Sequence, residues 1–268
     1  KHKQVQKSTS NSTYEYLEYC LKNVSVDYSG AYNYIEQNIT GFNRFISYNL
    51  SLDLINSPED RSLIVDSTAG RVHTNVSSFP KKLRKFLSYK NEPLVEIDLA
   101  NSQPFFLNLL ILRYYTETYS LSCSGSNYLS YGNQNNKIVP FTPEDVIKYK
   151  ELTSQGLLYE YLMDKMNIDE DRKKFKVRFF KKILYCKENE NYIPKERRQF
   201  RQLFPNVAKI ISHFKKDDYK QFAINLQKAE ADIMINKIVP RLAEKKIFVL
   251  TIHDSILTTP ENSQTVKK

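Results

Sequence analysis

Two apolar, β-rich stretches dominate the pattern of this 268-residue chain: EPLVEIDL at residues 92–99 and IFVLTIHDSILTT at 247–259. Short runs of branched and apolar side chains form strands because they pack well on a pleated, half-buried surface. In the second stretch two such runs flank His253 and Asp254, which predicts a hairpin with that pair at its tight turn. Asp98 closes the first strand, so two carboxylates 156 positions apart each stand where a strand stops. Any antiparallel sheet that holds both must be assembled across a long intervening segment.

That segment reads as helix and loop. Residues 102–115 are predicted helical, with Pro104 tolerated in the first turn. Helical patterning continues over 143–166, 170–185 and 217–244, with Pro240 kinking or ending the last. Residues 116–136, rich in Ser, Asn, Gly and Tyr, read as a surface loop, and 14–54 as helices and loops. The class expected is therefore α+β, and no internal repeat is visible.

Charge narrows the partners. Forty Lys plus Arg against thirty Asp plus Glu gives +10, which favours a polyanionic partner or reflects a generally lysine-rich surface. The longest nearly apolar run, residues 105–112, is broken by Asn108 and is far short of the roughly 20 residues of a bilayer span, so no membrane partner is expected. Cys20, Cys123 and Cys186 lack metal or disulfide spacing, which points to a reducing, cytoplasmic setting.

Either carboxylate alone reads most simply as a turn or cap residue. Converging, the two could hold a pair of magnesium ions about 4 Å apart, the arrangement that serves phosphoryl transfer. A second constellation, DRKKFKVRFFKKILY, has seven basic residues among the eleven at 172–182. It could be a solvated helix face. Arg172, Lys176 and Phe180 nevertheless recur at i, i+4 and i+8, so one stripe would present two phosphate-binding cations and an aromatic ring. Arg forks onto phosphate oxygens, Lys neutralises a leaving group, and Phe stacks on a base or sugar.

Residues 70–103, GRVHTNVSSFPKKLRKFLSYKNEPLVEIDLANSQ, resemble the run in family A (bacterial polymerase I-like) DNA polymerases that leads into the first catalytic motif. FVLTIHDSILTTPE, 248–261, is similar to the family's last motif. There His-Asp precedes Glu in DNA polymerases and Ser in phage-type single-subunit RNA polymerases, and here Ser255 follows. Arg172, Lys176 and Phe180 match the fingers helix, and INLQKAEADIM, 224–234, resembles the helix whose Gln touches the duplex minor groove.

The resemblance implies a right-hand polymerase fold: an antiparallel palm sheet, helical fingers and a reduced thumb. Residues 1–69 would form the helical, thumb-like region, 70–115 and 206–268 the palm, and 116–205 the fingers with a loop insertion. It implies two Mg2+ ions, replaceable by Mn2+, held by Asp98, Asp254 and the Leu99 carbonyl. Arg172, Lys176, Phe180, Gln103 and Tyr185 would bind the nucleoside triphosphate, with Lys176 the proton donor to pyrophosphate. Arg71, Arg84, Gln227 and His253 would bind primer and template.

Three departures bear on this. The family's fingers Tyr lies eight residues after the Lys, but here position 184 is Leu and Tyr185 lies nine on. Nine steps of 100° carry Tyr185 to the far side of an ideal helix from Lys176, so it reaches the active face only through a bulge or a helix end. Gln103 stands where DNA polymerases place the Glu that excludes the ribose 2′-hydroxyl, or else matches the family's Ser-Gln, and sugar choice stays open. The 69 residues up to Gly70 are too few for a proofreading exonuclease of roughly 150 residues or more.

The function expected is template-directed extension of a primer 3′-hydroxyl with release of pyrophosphate, as a DNA polymerase of a phage or mobile element. A single-subunit RNA polymerase or primase is the alternative within the class. From another class, a catalytically inactive, polymerase-like nucleic-acid-binding protein would bind in a salt-sensitive way without synthesis.

Overall fold

The computed structural model describes residues 11–123, 142–187 and 192–267. The chain divides into two compact units, Lys1–Leu99 with Glu230–Lys268, and Ala100–Ala229. Helices predominate and the sheets are small and antiparallel, so the α+β class expected from sequence is observed. Among the described residues no helix is long and apolar enough to cross a membrane.

The first unit opens with α1 (Asn11–Lys22), the short strand β1 (Ser25–Val26), α2 (Tyr28–Asn38) and α3 (Phe42–Asn56). Asp27 caps α2, its carboxylate accepting from the Gly30 N–H at 3.0 Å. At the other ends, the Arg61 guanidinium donates to the carbonyls of Leu21, Lys22, Val24 and Ile55. One cation thus satisfies acceptors that the ends of α1 and α3 leave open. β2 (Leu63–Val65) and β3 (Val72–Thr74) pair across a turn in which the Asp66 carboxylate accepts from the N–H groups of Thr68, Ala69 and Arg71. That turn fixes where Arg71 leaves the backbone. The four-residue helix α4 (Asn75–Ser78) follows, with a Thr74/Ser77 capping box. β4 (Leu87–Tyr89) lies between β1 and β5 (Glu92–Pro93).

The unit's third sheet carries the two sequence-predicted strand regions. β6 (Val95–Asp98), β7 (Leu250–Ile252) and β8 (Ser255–Thr258) lie in the order β6-β8-β7, all antiparallel. β7 and β8 are buried along their whole length, which is why they read as near-continuous apolar runs. Leu17, Ile35, Leu52, Phe79, Val239, Phe248 and Ile256 belong to one core cluster with this sheet, and Tyr89 stacks on Phe248 at 4.0 Å between ring centroids. Ahead of the helix Val239–Glu244 the backbone widens into a π-helical stretch, Asp232–Ile238. Pro240 has no N–H to donate and its ring crowds the preceding turn, so the kink expected at Pro240 falls just before it.

The second unit is helical throughout its described residues: α5 (Ser102–Cys123), α6 (Glu144–Ser154), α7 (Leu158–Lys165), α8 (Arg172–Phe179), α9 (Lys195–Leu203), α10 (Pro205–Lys215) and α11 (Tyr219–Ala231). Residues 116–123, expected in a loop, continue α5, and the rest of that expected loop to 136 lies outside the described residues. The helix expected over 143–166 breaks at Gly156, whose φ of 75° and whose approach to the Ala100 side chain leave no room for a Cβ. Residues 206–229, expected with the palm, fall in this unit, where α10 packs on α6 and α9. Its core is aromatic: Tyr149, Tyr159, Phe175, Phe179, Phe200, Phe204 and Phe222 are all almost fully buried.

Among these rings lies a buried amine. Lys215 is 3% exposed and donates to the Cys186 carbonyl at 3.0 Å. Burial pushes its pKa down to about 8, and the nearby Arg197 and Arg201 push the same way. Between that value and the unfolded 10.5 the folded chain binds fewer protons than the unfolded one, so this group raises stability as pH climbs through the window. Below it the charged amine carries a desolvation cost of about 3 kcal/mol. Urea unfolding of wild type and Lys215→Met should therefore show a stability difference at pH 7 that shifts in favour of the wild type by pH 10. Parallel curves would contradict this assignment.

Candidate active site

Strand register brings the end of β6 beside the turn that holds Asp254. Asp98 pairs with Ser255, the residue after Asp254, and the Leu99 N–H donates to the Asp254 carbonyl at 3.2 Å. The predicted hairpin is present with the predicted turn: Ile252 pairs with Ser255, leaving His253 and Asp254 as a two-residue loop. His253 has a left-handed backbone, φ 53°, uncommon for a residue with a side chain and costing on the order of 1 kcal/mol. Asp98 is exposed and Asp254 half-buried.

A third carboxylate stands on the same strand. Glu96 accepts from both Arg84 and Lys81, at 3.2 and 3.4 Å, and from the Ser255 hydroxyl at 3.3 Å. Arg84, expected at primer or template, is thus engaged as the counter-ion of Glu96, with its Nε directed to the Phe79 carbonyl. The sequence singled out neither Glu96 nor this triad, although the i, i+2 spacing puts Glu96 and Asp98 on one face of β6.

Arg71 and His253 line one narrow cleft with Thr251 and Met234. Arg71 forms a 2.5 Å ion pair with Glu230, whose side chain is only 2% exposed. Among the described residues, Arg71 Nε, Thr251 Oγ1 and His253 Nδ1 are buried there without a hydrogen-bond partner. Unsatisfied polar atoms in such a group are uncommon in folded proteins. The His253 ring stands edge-on to His73 at 5.6 Å. Burial, followed by Arg71 and His73, lowers its pKa below 6.5, and Asp254 only partly offsets them. This environment favours the uncharged imidazole of His253.

In the second unit the cationic helix is α8. Asp171 caps it, accepting from the N–H groups of Lys173 and Lys174. The Arg172 guanidinium pairs with Glu160, lies over the Tyr159 ring and donates to Asn101 Oδ1 at 3.3 Å. Lys176 is exposed. Beyond α8 the chain widens into a π-helical turn, Phe180–Leu184, closed by an i→i+5 bond from the Tyr185 N–H to the Phe180 carbonyl at 2.8 Å. This turn lies between Lys176 and Tyr185 and departs from ideal α-helical spacing there. As a result Tyr185 stacks on Phe180, with centroids 5.3 Å apart and planes at 22°, and donates to Gln103 Oε1 at 2.8 Å. Asn101, with φ 55°, and Gln103 are both buried at the start of α5. Gln227 is half-buried on α11.

The residues expected to hold magnesium offer oxygen donors. Among the described residues no three His, Cys, Asp or Glu side chains converge as a metal cage. Magnesium is a hard ion commonly held by one or two carboxylates with water and substrate phosphate completing the shell, and Asp98, Asp254 and the Leu99 carbonyl supply only oxygens. Comparison with known protein families, with curated proteins and with solved structures finds no match.

Proposed function

We propose that the chain is a template-directed nucleotidyltransferase, a DNA polymerase in which a primer 3′-hydroxyl attacks the α-phosphate of a nucleoside triphosphate and pyrophosphate leaves. The observation that carries this reading is the β6-β8 register, which pairs Asp98 with Ser255, the residue after Asp254, and so brings two carboxylate-bearing positions remote along the chain to one end of the sheet. A divalent-ion site is built from carboxylates, and these two stand at the end of β6 and in a turn whose His253 has a left-handed backbone. When bound there, Mg2+ would lower the pKa of the attacking hydroxyl and offset charge on the phosphate oxygens.

The chain's own residues take the remaining roles. Arg172 and Lys176 would hold the triphosphate, with Lys176 giving a proton to the departing pyrophosphate. The Phe180–Tyr185 stack offers an apolar platform for the incoming nucleotide, and the Tyr185–Gln103 hydrogen bond would close the space beside its sugar. Neutral His253 can donate to or accept from the primer-end phosphate ester without a desolvation cost for charge. In the same reading, Arg71 and Gln227 would contact the duplex.

Extension of a labelled primer-template with Mg2+ and deoxynucleotides tests the proposal. Template-dependent growth is the expected result. Incorporation of ribonucleotides alone would replace the DNA polymerase with an RNA polymerase or primase. Salt-sensitive binding with no synthesis under either condition would leave a binding protein only.

A further inference from the structure

Helix α3 is apolar on two faces. One face belongs to the core, with Leu52 and Ile55 fully buried and Phe45 and Tyr48 packed against the cluster. On the other, Phe42, Ile46, Leu50 and Leu54 recur every four residues and are 78, 40, 57 and 48% exposed. Ile64, 59% exposed, extends this row, since it lines the same cleft as Leu54. A helix apolar on both faces normally has both covered. We propose that this face is a homodimer interface in which α3 packs antiparallel against α3 of a second copy.

Three features select a second copy as the occupant. The row is symmetric about its own midpoint, so a two-fold axis there sets Phe42 against the partner's Leu54 and Ile46 against the partner's Leu50, the self-complementarity a closed dimer needs. Rows of i±4 side chains are also the ridges that interdigitate in the commonest helix pairing. The area suffices: these five side chains expose on the order of 500 Å² per copy, so a symmetric pair removes about 1,000 Å², the threshold for a specific interface. Charge agrees as well. Two molecules of net charge +10 repel, yet the charged residues of α3 are only Arg44 and Asp53, and the exposed positions between the apolar residues include Asn43 and Ser47. With Arg44 the one cation of α3, this face lacks the cations of a nucleic-acid surface and the Lys/Arg-rich polar face of an interfacial membrane helix. This inference is independent of the nucleotidyl-transfer reading.

Sedimentation of the full chain at 1–100 μM should give twice the 31.5 kDa protomer mass. Ile46→Lys and Leu50→Glu should each raise the dimer dissociation constant at least 100-fold with unchanged circular dichroism, because both residues face away from the core. Mixed one to one, the two variants should recover the dimer, since the ammonium introduced at position 46 of one copy then opposes the carboxylate introduced at position 50 of the other. A wild-type monomer at 100 μM overturns the proposal, as does a dimer indifferent to both substitutions. Association of a monomer with anionic vesicles or duplex DNA that Leu50→Glu abolishes would also overturn it, by giving the face a different occupant.

Discussion

Asp98→Asn should lower Mg2+-dependent primer extension by at least about 10³-fold, equivalent to roughly 4 kcal/mol of transition-state stabilisation. The change conserves shape and removes one negative charge at the end of β6, beside the turn that carries Asp254. Asp98 is exposed at the end of its strand, so the melting temperature, measured alongside, separates a loss of chemistry from a loss of fold. Binding of primer-template should stay the same or tighten, since a carboxylate facing phosphate is repulsive. Asp254→Asn should behave alike, and the double variant should be little worse than either single one if the two act as a unit. Unchanged synthesis by Asp98→Asn would remove the pair from the chemistry, whereas lost synthesis together with a collapsed melting temperature would assign it to folding.

Arg71→Met should cost about 3 kcal/mol, because it strips a nearly fully buried carboxylate of the guanidinium 2.5 Å away. For a chain of this size that corresponds to a fall in melting temperature of roughly 5–10 °C. Glu230→Leu should be milder, since the Arg71 side chain keeps 21% exposure and can turn toward water. The double variant Arg71→Met/Glu230→Leu should recover most of the loss, as buried ion pairs often exchange for well-packed apolar ones with little net change. A thermal double-mutant cycle reads this coupling directly. Additive effects would show that the ion pair contributes no specific stability. The cycle also separates stability from function, because the recovered double variant still lacks the cation proposed to contact the duplex.

The elements legible in the sequence share one property: their signal is local. The strands at 92–99 and 247–259 reveal themselves because short apolar runs bounded by polar turns have few other ways to bury their side chains. The His253-Asp254 turn was legible because two strand signals separated by two residues leave a hairpin as the simplest connection. The basic character of α8 and the start of α5 just after Asp98 follow likewise from neighbouring residues. The break at Gly156 was not legible, since the apolar pattern runs through it and only the approach of Ala100 and the φ of 75° reveal it.

What tertiary structure alone decided lies in pairs remote along the chain and in backbone geometry that periodicity does not encode. An ideal helix carries Tyr185 away from Lys176. The π-helical turn at Phe180–Leu184 sets Tyr185 against the Phe180 ring, and its bond to Gln103 spans 82 positions. Glu230 reads from sequence as one polar position on a helix, but Arg71, 159 positions earlier, makes it half of a buried ion pair. Arg84 reads as a free cation until Glu96 is seen to hold it. Spacing and composition determine which segments become strand, helix or turn, because those choices are settled within a few residues. Which charges meet, and which are thereby neutralised, depends on the packing of whole elements, because an ion pair forms only where the fold carries both partners to within a few ångströms.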